Sequence, residues 1–223
     1  MKKIKYSALL LSIALILGSC NANNTVKGGA IGAGSGAALG AIIGGIAGKG
    51  KGAAIGAAIG TAVGGGAGAI IGNKMDKKAK QAAEIEGAEV EKVTDTNGLQ
   101  AVKVTFNSGI LFGFNSSTLS ASAKSSLSEF SKILREDQTI DISVVGHTDK
   151  VGSYEANHTV STRRANAVAD YLKQNGVAYN QFQSVQGVGY DQYDEAVSAE
   201  QNRRVDVYMY ASEQMIKNAE AGK

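Results

Sequence analysis

The sequence predicts an α+β protein: a two-layer α/β sandwich over residues 89–211, preceded by an all-α glycine-zipper hairpin over residues 28–72. Three observations carry this. Strand-like and helix-like hydrophobic periodicities alternate from Glu89 to Tyr210. Glycine stands at every fourth position from Gly28 to Gly72, twelve positions without a miss, with Ala, Ile, Leu and Val between. After Gly72 the composition turns abruptly polar. At 223 residues the chain has room for one packed domain plus attachments. It contains no proline, a feature for which the sequence offers no physical reason.

The first element is an export signal over residues 1–19: a basic start, Lys2, Lys3 and Lys5, then an apolar run from Tyr6 to Leu17 and small residues. That run is too short to span a bilayer as a helix. The quartet Leu17-Gly18-Ser19-Cys20 resembles the bacterial lipobox, whose cysteine is lipidated and becomes the first mature residue. Cys20 is the only cysteine, and polar Asn21-Ala22-Asn23-Asn24 follows it, so residues 20–27 read as a lipidated N-terminus. A buried free thiol is the alternative. Acyl chains contribute about 0.8 kcal/mol per buried methylene, so several on one cysteine hold a protein durably to a lipid bilayer. The net charge of +3 equals the three lysines of the signal. The remainder is neutral and has no basic run, which excludes nucleic acid as a partner.

The glycine segment keeps a register that a flexible Gly/Ser linker has no need of. In a helix the i, i+4 positions form one ridge, and glycine there lets two backbones approach closely. In water each would cost about 1 kcal/mol relative to alanine. Gly28–Gly48 and Gly52–Gly72 are each 21 residues without a charge, split by Lys49-Gly50-Lys51. At 1.5 Å per residue each reaches ~30 Å, about the thickness of the hydrocarbon core. The expectation is a membrane-associated helical hairpin with both ends on one side, similar to glycine-zipper segments found beside cell-envelope domains. A soluble oligomeric zipper and a disordered spacer are the other readings.

Residues 73–88 read as a polar linker, its start a short solvated helix leaving the membrane surface. Glu89–Val93, the turn Asp95-Thr96-Asn97-Gly98, and alternating Val102, Val104 and Phe106 predict a β-hairpin. Ser120 caps a helix whose Ala123, Leu127, Phe130, Ile133 and Leu134 share a face. Ile140–Val145 is a strand. A helix from about Asn157 to Gln174 follows, with Val160, Ala167, Val168, Tyr171 and Leu172 inward and Gly176 closing it. Strands at Phe182–Val188 and Arg204–Tyr210 complete the domain, and residues 212–223 read as a loosely held polar tail.

Catalysis finds little support. His147 and His158 lie outside any HExxH pattern, and Gly187-Val188-Gly189 lacks the third glycine of a dinucleotide loop. There is no GxSxG elbow, and the pattern calls for no cofactor and no metal.

A more specific pattern is Val145-Gly146-His147-Thr148-Asp149, then Gly152, Tyr154 and Asn157, then Ser161, Arg163, Arg164 and Ala165, with Gln201-Asn202-Arg203-Arg204-Val205 near the end. These motifs resemble, in order and spacing, those of the OmpA C-terminal-like family, which includes peptidoglycan-associated lipoproteins. The resemblance covers roughly residues 104–211. It implies a periplasmic domain that binds peptidoglycan without cleaving it.

It also implies the ligand-binding residues. The diaminopimelate of a stem peptide presents an ammonium and a carboxylate on one carbon. The family's roles fall on Asp149 for the ammonium and on Arg164, in a bidentate fork, for the carboxylate. A structural ion pair between the two is the alternative. Asn157 and Ser161 lie on the turns before Arg164, and Asn157 alternatively caps the helix. Thr148 and His147 flank the acid, with His147 either a hydrogen-bonded strut or a ligand contact. Asn202 and Arg203 match the late motif. Arg203 shares strand parity with Val205 and Val207, so it is alternatively a buried brace for a carboxylate. The chain departs from the family at Phe112-Gly113-Phe114-Asn115-Ser116, where Phe-Asp-Phe-Asp-Ser is usual, and at Val160, where leucine is usual. The combined expectation is a lipid-anchored outer-membrane protein tethering the envelope to the wall. The rival is a glycine-zipper homo-oligomer or pore that the wall-binding domain positions.

Overall fold

The computed structural model describes residues 65–95, 98–113 and 116–222. The signal, Cys20, the glycine segment as far as residue 64, Lys49-Gly50-Lys51, and Phe114-Asn115 lie outside the described residues. Helix α1 (Gly65–Ala83) leads into strands β1 (Ala88–Thr94) and β2 (Gln100–Asn107). A short helix α2 (Ser108–Leu111), the long helix α3 (Ala121–Glu136) and strand β3 (Ile140–Gly146) follow. Helix α4 (Tyr154–Gln174) returns the chain to strand β4 (Phe182–Gly187). A last short helix, α5 (Ala199–Asn202), precedes strand β5 (Arg204–Ala211) and helix α6 (Glu213–Glu220).

The five strands form one sheet in the order β1-β2-β5-β3-β4. The predicted hairpin is present, with Val90 opposite Val104. Central β5 is antiparallel to both β2 and β3, whereas β3 and β4 pair in parallel because α4 carries the chain back between them. Alternation along the strands sorts the side chains onto two faces. Val102, Val104, Phe106, Ile142, Val144, Val207 and Met209 join the helices in the main core. Val93, Ala101, Val145, Tyr208 and Tyr210 cluster on the other face. The predicted two-layer sandwich is therefore the architecture of the described residues.

Helix α3 starts where the sequence says: the Ser120 hydroxyl accepts from the Ala123 N–H at 3.0 Å, and all five predicted inward residues are buried. Gly176 closes α4 with φ of 87°, a left-handed conformation that favours glycine. The start of α4 is three residues earlier than expected, because Ser153, not Asn157, is its cap.

Three expectations are corrected. Residues 73–88 are not a solvated linker. One unbroken helix runs through Gly72, and its Ala67, Ile71, Met75, Ala79 and Ala82, spaced by four and then three, form a stripe buried in the core against β1, β2 and α6. Its polar residues stitch it in place: Lys78 donates to the Ile133 carbonyl at 3.2 Å and pairs with Glu136 at 2.7 Å, while Asp76 pairs with Lys92 at 2.6 Å and accepts from Gln100.

Second, the expected hairpin helix ending at Gly72 does not end there: Ala67 and Ile71, at the described end of the glycine segment, are buried in the core of the domain, while the rest of the hairpin lies outside the described residues. Among the described residues no helix is long and apolar enough to cross a membrane. Third, the polar tail is mostly helix α6, capped by Ser212, with Met215, Ile216 and Ala219 buried. Three apolar residues at i, i+1 and i+4 suffice to dock a short helix in an otherwise polar stretch.

Candidate ligand-binding site at the end of strand β3

The sheet positions the site through a close backbone approach. Gly146 and Gly187 are register partners on β3 and β4. A methyl on Gly146 would lie 2.2 Å from the Ser161 carbonyl oxygen, and one on Gly187 would lie 2.0 Å from the Thr162 nitrogen. Only glycine at both positions lets α4 sit this close to the sheet. Ser161, fully buried, accepts from the Gly189 N–H at 2.9 Å and donates to the His158 carbonyl at 3.0 Å. It fastens α4 to the segment after β4 rather than facing an opening.

Beyond Gly146 the chain leaves the sheet as His147-Thr148-Asp149. The Thr148 N–H donates to the Gly189 carbonyl at 2.9 Å, and its hydroxyl is buried with no hydrogen-bond partner among the described residues. His147 is 2% exposed and its Nε2 lies 3.1 Å from Asp206 Oδ2. The ring thus lies against a carboxylate on the second face of the sheet. Burial alone would push the Asp206 carboxyl up. The His147 imidazole and the Arg204 guanidinium reverse that and hold it well below the usual carboxylate range.

Asp149 Oδ1 accepts from the Val151 N–H at 3.0 Å, and Oδ2 meets Arg203 Nη1 at 2.6 Å. Arg203 thus serves the brace role foreseen for it, although its side chain is 40% exposed rather than buried, because β5 begins only at Arg204. Asp149 and Arg164 form no direct ion pair among the described residues. Arg164 is itself buried on α4. Its Nε donates to the Ser116 carbonyl at 3.2 Å and its guanidinium lies 5.2 Å from the Phe112 ring centroid. Burial lowers its pKa, the charge of Arg203 lowers it further, and Asp149 raises it. Asp149, Arg164 and Arg203 therefore share one electrostatic neighbourhood, in which Arg164 has no carboxylate partner among the described residues.

Asn157 and Asn202 act on loops. The Asn157 amide donates to the Val151 and Ser153 carbonyls, each at 3.0 Å, and so fixes the turn that carries Asp149. Asn202, fully buried, donates to the Asp194 and Ser198 carbonyls at 2.9 and 3.1 Å and accepts from the Asp194 N–H at 2.8 Å. Of the predicted residues, Asp149, Arg164 and Arg203 converge; Asn157, Ser161 and Asn202 brace what surrounds them. The sequence reading missed Gly187 and Gly189, whose signal was the pairing of glycines across two adjacent strand ends. No cluster of His, Cys, Asp or Glu among the described residues is arranged to hold a metal ion.

Residues 111–206 match the model of the OmpA family, and residues 1–76 match that of the YMGG-like Gly-zipper. Outer membrane protein A of Serratia marcescens is 37% identical over 93 residues, which is 41% of this chain and 26% of that protein. The chain thus matches about a quarter of the length of that relative. Among solved structures, a MotB-like protein from Desulfovibrio vulgaris is similar with a TM-score of 0.53 at 22% identity, over 66% of this chain and 92% of that one. The periplasmic domain of Helicobacter pylori MotB (residues 90–256) is similar with a TM-score of 0.50 at 19% identity, over 63% and 90% of the two chains. These structures share the fold.

Proposed function

From the match of residues 111–206 to the OmpA-family model, we propose that this chain binds peptidoglycan noncovalently and tethers the outer membrane to the cell wall. The domain lies in the periplasm and holds the diaminopimelate of a stem peptide without cleaving it. Asp149 takes the ammonium, sharing its carboxylate with Arg203, and Arg164 takes the carboxylate. One observation carries the reading: a buried guanidinium, within electrostatic reach of Asp149 and Arg203, that has no carboxylate partner of its own among the described residues. A guanidinium without a counter-charge favours a ligand that supplies a carboxylate in bidentate geometry. Thr148, Asn157, Ser161 and Asn202 hold the surrounding backbone through the bonds described above. Cys20 anchors the other end in lipid, and the zipper adds membrane attachment.

The test is capture of the full-length chain by purified sacculi. Wild type is expected to bind and to be displaced by free diaminopimelate, while Asp149→Ala and Arg164→Ala each lose binding with unchanged circular dichroism. Binding of both variants at the wild-type level would refute the clamp. Release of soluble wall fragments by the purified protein would refute a purely binding role. The match of residues 1–76 to a glycine-zipper family keeps the membrane-oligomer reading in play. Discrete crosslinked oligomers that vanish on Gly40→Leu and Gly60→Leu would favour it.

A further inference from the structure

We propose a saccharide subsite beside the Asp149 clamp, formed by Tyr154 with His158, Tyr190 and Asp191; it rests on the wall-binding reading above. Tyr154 opens α4, five residues after Asp149, so the two Cα atoms are at most ~18 Å apart. It is 45% exposed, unusual for a ring that is also held on several sides. His158 lies against it with ring centroids 4.6 Å apart, and Tyr190 meets it edge-on at 5.7 Å. Its hydroxyl donates to Asp191 Oδ2 at 3.2 Å, and His158 Nε2 lies 3.2 Å from the same oxygen.

The ring is therefore fixed before any ligand arrives, with part of it left open to solvent. The loop carrying it is tied to the clamp twice. Asn157 holds the Val151 carbonyl while the Val151 N–H holds Asp149, and Thr148 bonds Gly189, the neighbour of Tyr190. Loop motion that would separate ring from carboxylate is suppressed by these bonds.

The occupant follows from the chemistry of the wall. A stem peptide is covalently joined to an amino sugar of the glycan, within a few residues of its diaminopimelate. A ligand clamped at Asp149 thus brings a pyranose ring to the neighbouring surface. Such a ring has an apolar C–H face that packs on the negative face of an aromatic ring, and hydroxyls that pair with a carboxylate and an imidazole at its edge. Tyr154 supplies the face; Asp191 Oδ1 and His158 supply the edge.

The experiment measures affinity of the full-length chain for two probes: a disaccharide-stem fragment released from sacculi by a muramidase, and the same stem freed of sugar by an amidase. We expect the disaccharide form to bind about fivefold more tightly, the scale of one aromatic contact. Tyr154→Ala removes that preference while stem affinity stays at the wild-type value, and Tyr154→Phe, which keeps the ring, retains it. Equal wild-type affinity for the two probes overturns the proposal. So does a Tyr154→Ala variant that weakens both probes equally, since the ring would then only shape the loop. If wild type binds neither probe, the wall-binding reading falls and this inference with it.

Discussion

Shortening one side chain on α1 tests whether this helix belongs to the domain. Met75 sits in the middle of the helix, is fully buried, and lies between the buried Ile71 and Ala79. Met75→Ala removes a side chain from a site with no solvent access, a change that costs about 2–5 kcal/mol depending on how far the surroundings collapse. Taking ~3 kcal/mol, and ~2–4 °C per kcal/mol for a domain of this size, the thermal midpoint should fall by ~6–12 °C. Lys77 is exposed on the opposite side of the same helix, so Lys77→Ala is the control and should stay within ~0.5 kcal/mol of wild type. Thermal and urea unfolding of residues 65–223 followed by circular dichroism read both variants, with a lowered urea midpoint at constant slope beside the lowered thermal one as the expected signature. A Met75→Ala midpoint indistinguishable from that of Lys77→Ala would refute the docking of α1 and restore the solvated linker.

Other outcomes follow from the same structure. Gly146→Ala should cost about 3 kcal/mol or more, because the new methyl meets the Ser161 carbonyl at 2.2 Å in a place where only backbone can move; thermal melting reads it. Asp141 is half-buried, and burial pushes its carboxyl up to about 6, with Gln183 opposing and Glu213 adding to the rise. A folded pKa raised above the unfolded value means that the ionised carboxylate destabilises the fold above about pH 6. Asp141→Asn should therefore stabilise at pH 7 by about 1–2 kcal/mol after allowance for screening, with the gain fading as pH falls from 6 to 4. Asp206 has the opposite sign: its folded pKa is depressed, so its contribution is present above the unfolded carboxylate pKa and lost as pH falls through the folded one. In acid titrations Asp206→Asn should lose less stability below pH ~4 than wild type does. Cys20→Ala should leave an unprocessed precursor without acyl label, which metabolic labelling with palmitate checks; normal labelling would sink the lipobox reading.

The parts of the fold legible in the sequence were those whose local chemistry is self-contained. Ser120 and the stripe from Ala123 to Leu134 specify a capped amphipathic helix with no outside information, and the Asp95-to-Gly98 turn specifies a hairpin. Helix α1 was misread because two periodicities coincide in it. The glycine register ends at Gly72, but the core-facing stripe Ala67-Ile71-Met75-Ala79 runs one position earlier and ignores that boundary. Helix α6 was missed because its apolar content is three residues, too few to stand out without knowing that a core lies beneath them. In the site, Asp149 and Arg164 come from motifs that resemblance locates, and Arg203 from the late motif. Sequence says less about amides and hydroxyls: Asn157, Ser161 and Asn202 could face a ligand or a backbone group with equal ease, and here each bonds main-chain groups of neighbouring loops.

The continuity of α1 has a mechanical consequence. Under the tethering proposed above, a pull from the N-terminal side would enter the domain through α1, which packs against β1, β2 and α6. Loaded in this way, its stripe of contacts is sheared all at once, together with the Lys78 and Asp76 ion pairs, rather than peeled off one residue at a time. Such an attachment yields at a higher force than the same contacts would end-on. Helix α6 would share that load, since it packs against α1 and loses its partner if α1 is pulled away.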